Sequence, residues 1–247
     1  MRLVSQDYYV LDNHTVFENI QDKLIGFTNE AKEKRSDKLL KLLELTALKQ
    51  MKAKHLSSGQ RQRVAIARAL AIIPKILLLD EPFSNLDKLL NEKLFAFVVN
   101  EAKKNNTSII LVTHLAEEAL KYADRIIVMD NGKIVQNDKK WKVYYQPKNS
   151  RLAGLLGAFN SIHPSDLDVS SQLKPKGKLF LRPDRLRLST NKKGDILINV
   201  INCTFNGKCF EVLGETKNNN TVMIYSNKKL LINESHMFYI DTTEKFA

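Results

Sequence analysis

Cysteine is scarce in this chain: Cys203 and Cys209 are the only two in 247 residues. They sit in CTFNGKC, with neither CxxC spacing nor a nearby histidine pair. That excludes a disulfide framework and a zinc site, and fits a reducing compartment. Long apolar runs are missing too. The strongest, AIIPKILLLD, is cut by Pro74 and Lys75 and falls short of the roughly 18 residues that read as a membrane span. The first residues lack the apolar core of a signal peptide. Acidic residues are outnumbered, and 39 Lys and Arg against 27 Asp and Glu give a net charge of +12. Such a balance suits an anionic partner, whether nucleic acid, an acidic membrane surface or phosphate groups. The lysines are scattered among acids in KEKRSDK, EAKKNN and NDKKWK, as on a solvated surface, so charge alone does not choose.

The chain reads as four segments. From Thr15 to about Gln50 the pattern is helical and charged, with Thr15 as a cap. Leu39, Leu40, Leu42, Leu43 and Leu45 fall on a face of helical period. From about His55 to Lys140 helices alternate with KILLLD and TSIILVTH, short apolar runs expected as parallel strands covered on both faces. RIIVMDNGKIVQ predicts a hairpin at Asn131-Gly132. Around YYQPKNSRLAGLLGAFN the periodicity fades between Pro147 and Pro164, as in a linker. Beyond it KLFLRP, DILINVINCTF, KCFEVLG, TVMIYS and HMFYI predict an all-β module. Its aromatics Phe180, Phe205, Phe210, Tyr225 and Phe238 are expected in the core rather than on a nucleic-acid surface.

Three motifs carry chemistry. KILLLDEP delivers Asp80 and Glu81 at the carboxyl end of a strand, where open α/β sheets place their ligands. Two adjacent carboxylates suit a division of labour, one holding Mg²⁺ and the other polarising water. A charged turn after a strand would look the same. In LSSGQRQRVAIARAL small residues precede a helix through about Leu70. The unpaired N–H groups of such a helix start favour an anion, and the Ser57 and Ser58 hydroxyls add donors. An ordinary serine-capped helix shares that pattern. In SIILVTHLAEEAL a second strand leads to His114, able to contact a terminal phosphate or move a proton.

In this order and spacing the residues resemble the ATP-binding subunit of ABC transporters. The family's signature is matched by Leu56, Ser57, Ser58, Gly59 and Gln60, its Walker B strand by Ile76 to Asp80 and its catalytic glutamate by Glu81. SNLD at Ser84 to Asp87 matches the D-loop, His114 the switch histidine and Gln6 the Q-loop glutamine. Ser58 departs from the usual glycine. The resemblance implies ATP and Mg²⁺ as cofactors, with Asp80 and Gln6 at the metal and Glu81 orienting or deprotonating water. It implies His114 at the γ-phosphate and Asp87 at the interface of a head-to-tail dimer. There Leu56–Gln60 would complete the site of a second ATP-binding subunit. Membrane-spanning permease subunits and, indirectly, a solute-binding protein would be further partners, at the cytoplasmic face of the plasma membrane. Nucleic acid is not an expected partner. The tail, with LFLRPDRLRL and Arg182, Pro183 and Asp184, resembles the TOBE-type module of importers for polyamines, ferric iron, oxyanions or sugars.

The expected fold is α/β: a partial P-loop NTPase (RecA-like) ABC core over 1–145, with a helical subdomain at about 10–70. A linker over 146–163 and an OB-like, TOBE-type β domain over 164–247 follow. None of the nine glycines fits G-x-x-x-x-G-K-[ST], and the resemblance places that loop before Met1. The chain is therefore expected to be truncated ahead of the Q-loop. Losing several charge-assisted phosphate bonds, at about 1.5–3 kcal/mol each, implies weak ATP binding by the chain alone. The other readings are a catalytically incompetent regulatory or split-subunit partner, and a non-transport ABC ATPase.

Overall fold

The computed structural model describes residues 1–4, 9–82, 88–190 and 193–242. It divides after Leu115 into two compact units, Met1–Leu115 and Ala116–Ala247. The sequence had placed the division near 145. The Asn131-Gly132 hairpin forms a two-stranded sheet of its own.

In the first unit, strands β1 (Arg2–Val4), β2 (Ile76–Asp80) and β3 (Ser108–Val112) lie parallel in the order β1-β2-β3. Parallel neighbours need a crossover, and helix α4 (Lys88–Lys104) lies between β2 and β3 in the chain. The register sets Val4 beside Leu79. One face therefore carries Val4, Leu77 and Leu79, none more than 2% exposed. The opposite face carries Leu3, Ile110 and Val112, which are 53%, 54% and 56% exposed. Apolar runs alone had suggested cover on both faces. Successive residues point to opposite sides, and here one side is open.

Three helices complete this unit. α1 (Val16–Gln21) begins at Thr15 with a full capping box: Thr15 Oγ1 accepts the Glu18 N–H at 3.1 Å and Glu18 Oε2 accepts the Thr15 N–H at 2.7 Å. Such a cap is worth about 1 kcal/mol. α2 (Asn29–Leu42) and the turn after it bury Leu39, Leu40, Leu43 and Leu45 to 1% exposure or less, so the leucine face is core; Leu42 is partly exposed. α3 (Ser58–Ala71) buries ten of its fourteen residues, which makes it a central helix rather than a surface one. Buried Arg68 ties it to α1 by donating from Nη1 to both the main-chain and side-chain oxygens of Asn19, each at 2.8 Å.

The second unit opens with helix α5 (Ala116–Tyr122), hairpin strands β4 (Arg125–Asp130) and β5 (Lys133–Lys139), and helices α6 (Lys140–Tyr145) and α7 (Ser150–Leu155). Asn131 and Gly132 take φ of 49° and 73°, the two left-handed residues of a type I′ turn. Residues 146–163, expected as a linker, hold α7 and strand β6 (Asn160–Ile162). Polar side chains supply the order that apolar periodicity does not show. Asn149 Oδ1 caps α7 through the Leu152 N–H at 2.8 Å. Asn160 exchanges two bonds with the Met223 backbone, at 2.7 and 2.8 Å.

Strand β6 pairs with β7 (Leu179–Leu181). The remaining strands are β8 (Leu186–Leu188), β9 (Ile196–Phe205), β10 (Phe210–Thr216), β11 (Thr221–Ser226) and β12 (Ser235–Ile240). They form an antiparallel sheet in the order β11-β10-β9-β12-β8, curled as an OB-like half-barrel. Its core is aliphatic, built on Ile196, Ile198, Val200, Val212 and Ile224 around Phe238. Of the aromatics expected inside, Phe238 is fully buried, whereas Phe205 and Tyr225 are 60% and 37% exposed. Alternation explains Tyr225, which lies between inward Ile224 and Ser226; Phe205 ends β9. Gly214 stands where β10 shifts register on β9, and a Cβ there would come within 2.4 Å of Ile198 Cγ2.

Asp166 anchors this module and is 1% exposed. It accepts bonds from the His163 N–H, Thr216, Asn218 and Asn220 at 2.8–3.0 Å. Burial pushes its carboxyl up, but the bonds from Asn218, His163, Thr216 and Asn220 outweigh burial and hold it below the usual carboxylate value. A depressed folded pKa gives stability that is present above the unfolded value of about 3.9 and lost as pH falls through the folded one. Denaturant unfolding is therefore expected to show stability falling below about pH 4. Asp166→Asn is expected to flatten that fall and to lower stability at pH 7.

Candidate functional site

Asp80 closes β2 and Glu81 follows it at the carboxyl edge of the parallel sheet. Glu81 takes φ +45°, a left-handed conformation that costs a non-glycine residue about 1–2 kcal/mol. Its N–H donates to Val112 O at 3.0 Å, so the chain turns while still fastened to β3. His114 stands two residues past the end of β3. Its Nδ1 lies 2.8 Å from Glu81 Oε1, and the two side chains are 65% and 26% exposed. The pair is thus open to a ligand. With Glu81 ionised, His114 donates its Nδ1–H and turns Nε2 away from the carboxylate.

The signature stretch is placed by its own cap. Leu56 is 8% exposed and anchors the turn into α3. Ser57 is the N-cap: its Oγ accepts the Gln60 N–H at 3.3 Å, and Gln60 Oε1 accepts the Ser57 N–H at 2.9 Å. Capping does not use up the donors at this helix start. The Ser57 hydroxyl keeps its own proton to donate, and the N–H groups of Ser58 and Gly59 have no partner among the described residues. Ser58 is exposed and Gly59 buried. The helix behind them is long enough to present a positive end.

The structure therefore joins Glu81 to His114, with partly buried Asp80 next in the chain. Helix α3 reaches the pair through Gln62, not through Ser57: Gln62 Nε2 donates to Glu81 O at 3.3 Å. Sequence reading passed over Gln62. The signal was a polar residue three positions after Gly59 and four before Ile66, on a buried face. Gln6 and Asp87, with Ser84 and the rest of SNLD, lie outside the described residues. The Asp80 carboxylate is a hard oxygen donor at the sheet edge, which suits Mg²⁺, an ion usually held by one or two carboxylates with phosphates.

Comparison with known proteins bears on this geometry. Residues 1–84 match the family model described as ABC transporter. Among solved structures, the dimeric structure of MJ0796, a bacterial ABC transporter cassette, is 33% identical with a TM-score of 0.52. The post-hydrolysis dimer of the ATP-binding cassette MJ0796, bound to ADP and Pi, is 31% identical, also at 0.52. Each likeness covers 56% of this chain and 62% of the other, so the chain spans about three fifths of those cassettes. The parallel unit thus has the fold of an ABC cassette of the P-loop NTPase class. Both comparisons thus make ABC transporter cassettes the proteins that this chain is similar to.

Proposed function

We propose that this chain is the ATP-binding, energy-coupling subunit of an ABC import system. ATP hydrolysis by the assembled subunits would drive a small solute or ion across the membrane. The observation that carries the reading is the Glu81–His114 contact at the carboxyl ends of adjacent parallel strands. Glu81 takes the proton of the water that attacks the γ-phosphorus as the bond to the bridging oxygen breaks. His114 holds Glu81 in place on one nitrogen and meets the phosphate on the other. Asp80, together with Gln6, would hold Mg²⁺, which would supply positive charge against the phosphates. Leu56–Gln60 presents the start of α3 to a nucleotide held by a second ATP-binding subunit. Permease subunits and a solute-binding protein complete the assembly at the cytoplasmic face of the plasma membrane. Import, rather than export, is favoured by the OB-like module, which resembles the TOBE type.

The test is ATP-dependent association. The chain is mixed with a cassette subunit that carries G-x-x-x-x-G-K-[ST], and the complex is followed by sedimentation with and without Mg²⁺–ATP. Association is expected to require nucleotide and to weaken at least about tenfold in Ser58→Glu, where a carboxylate opposes the phosphates. The same change favours the helix, because an acidic side chain suits its first turn, so the melting temperature is expected to hold or rise. Association indifferent to ATP and to Ser58→Glu sinks the proposal.

A further inference from the structure

Gln62 lies on α3, between the Ser57 cap and the body of the helix, and is 0% exposed. Nε2 donates to Glu81 O at 3.3 Å, while Oε1 is buried with no partner among the described residues. The orientation of the amide follows from the acceptor, since its oxygen facing Glu81 O would set lone pair against lone pair. An orphaned buried acceptor costs free energy that an apolar side chain of similar size would avoid. Methionine or leucine would fill the space; neither offers a donor. The one thing the amide adds is a bond to the main chain of Glu81, the residue that takes φ +45° and points its carboxylate at His114.

We infer that Gln62 is a positioning residue: by holding the Glu81 carbonyl it maintains the left-handed turn that sets the Glu81 carboxylate against His114. Without the donor this restraint on the Glu81 carbonyl is lost, and the carboxylate shifts away from His114. The same bond joins the signature helix to the water-activating residue, so a displacement of α3 is transmitted to Glu81 directly. The inference rests on the proposed role of Glu81.

The experiment uses the full chain labelled with ¹⁵N at histidine, with His114→Ala to identify the His114 ring signals. In Gln62→Met the His114 Nδ1 and Nε2 resonances are expected to move to their positions in Glu81→Ala, with the melting temperature unchanged or raised. A purely structural role would lower the melting temperature and leave the resonances in place. That result, or wild-type resonances in a folded Gln62→Met chain, overturns the inference. Should Gln62→Met fail to fold, Gln62→Asn answers the same question, because its amide falls one methylene short. In the ATP-hydrolysing assembly, kcat is expected to fall about 10- to 100-fold, as misplacement of a catalytic group does, with KM little changed; an unchanged kcat overturns the inference as well. If Glu81 does not activate water, Glu81→Gln leaves turnover intact while the His114 signals still report the Gln62 contact, which separates the two failures.

Discussion

Glu81→Gln is expected to lower ATP turnover in the assembled cassette pair by about 10²–10³-fold, within the range that general-base removal covers. Nucleotide affinity is expected to stay within about threefold, because glutamine keeps the shape of the side chain and removes little binding. Its amide oxygen still accepts the His114 Nδ1–H, so the ring now 2.8 Å from Glu81 stays in place. What disappears is the proton acceptor. A group that acts only in the transition state lowers kcat and kcat/KM equally, and that equality is the signature to look for in steady-state kinetics with Mg²⁺–ATP. Glu81→Ala removes both the acceptor and the His114 contact, so it is expected to be no more active than Glu81→Gln. Turnover within tenfold of wild type in Glu81→Gln would assign water activation to another group.

Local signals in the sequence became local structure. Asn131-Gly132 forms its hairpin turn because few residues tolerate two successive left-handed conformations. Thr15 caps α1 with Glu18 because the two side chains reach each other's backbone within one turn. The placement of the candidate residues was legible in the same way: KILLLDEP carries Asp80 and Glu81 at the end of one strand, and SIILVTH carries His114 just past the end of another. That the two strand ends meet depends on β2 and β3 being neighbours, which comes from the register of Asp80 with Val112 rather than from either motif. The features left unread depend on distant contacts. Leu3, Ile110 and Val112 look as apolar as Leu77 and Leu79, and only the sheet shows that they occupy the open face. Gln62 looks like one polar residue among the arginines of the signature helix until its amide is seen on Glu81 O. Asn149 and Asn160 order a stretch whose apolar periodicity is weak, one through a helix cap and one through the backbone of β11.

Arg182→Ala is expected to destabilise the second unit by about 3–5 kcal/mol, the scale of breaking a buried charged network. Arg182 is 2% exposed. Its Nε donates to Tyr144 O at 2.9 Å, and its Nη1 to Ala153 O, Gly157 O and Ala158 O at 2.9–3.0 Å. The guanidinium carbon stands 4.1 Å from the centre of the Tyr144 ring. Burial lowers the Arg182 pKa from its ordinary value, yet an arginine stays charged in proteins. The charge is met by carbonyl dipoles around the end of α7, the end of a helix that favours a cation. Nη2 has no partner among the described residues, so the network is incomplete, but removing the side chain takes a donor from four carbonyls, of which Ala153 O alone keeps another, the Leu156 N–H. Arg182→Lys is expected to recover little. A lysine ammonium is a point charge that does not reproduce the planar fork or stack on Tyr144. Trp141, the one tryptophan of the chain, lies in α6 three residues before Tyr144. Its fluorescence during denaturant unfolding therefore reports on this unit. An unfolding free energy for both variants within about 1 kcal/mol of wild type would show that the Arg182 bonds merely replace bonds to water. A large loss in both would show that Arg182 secures the stretch from Tyr144 to Ala158 to the β module.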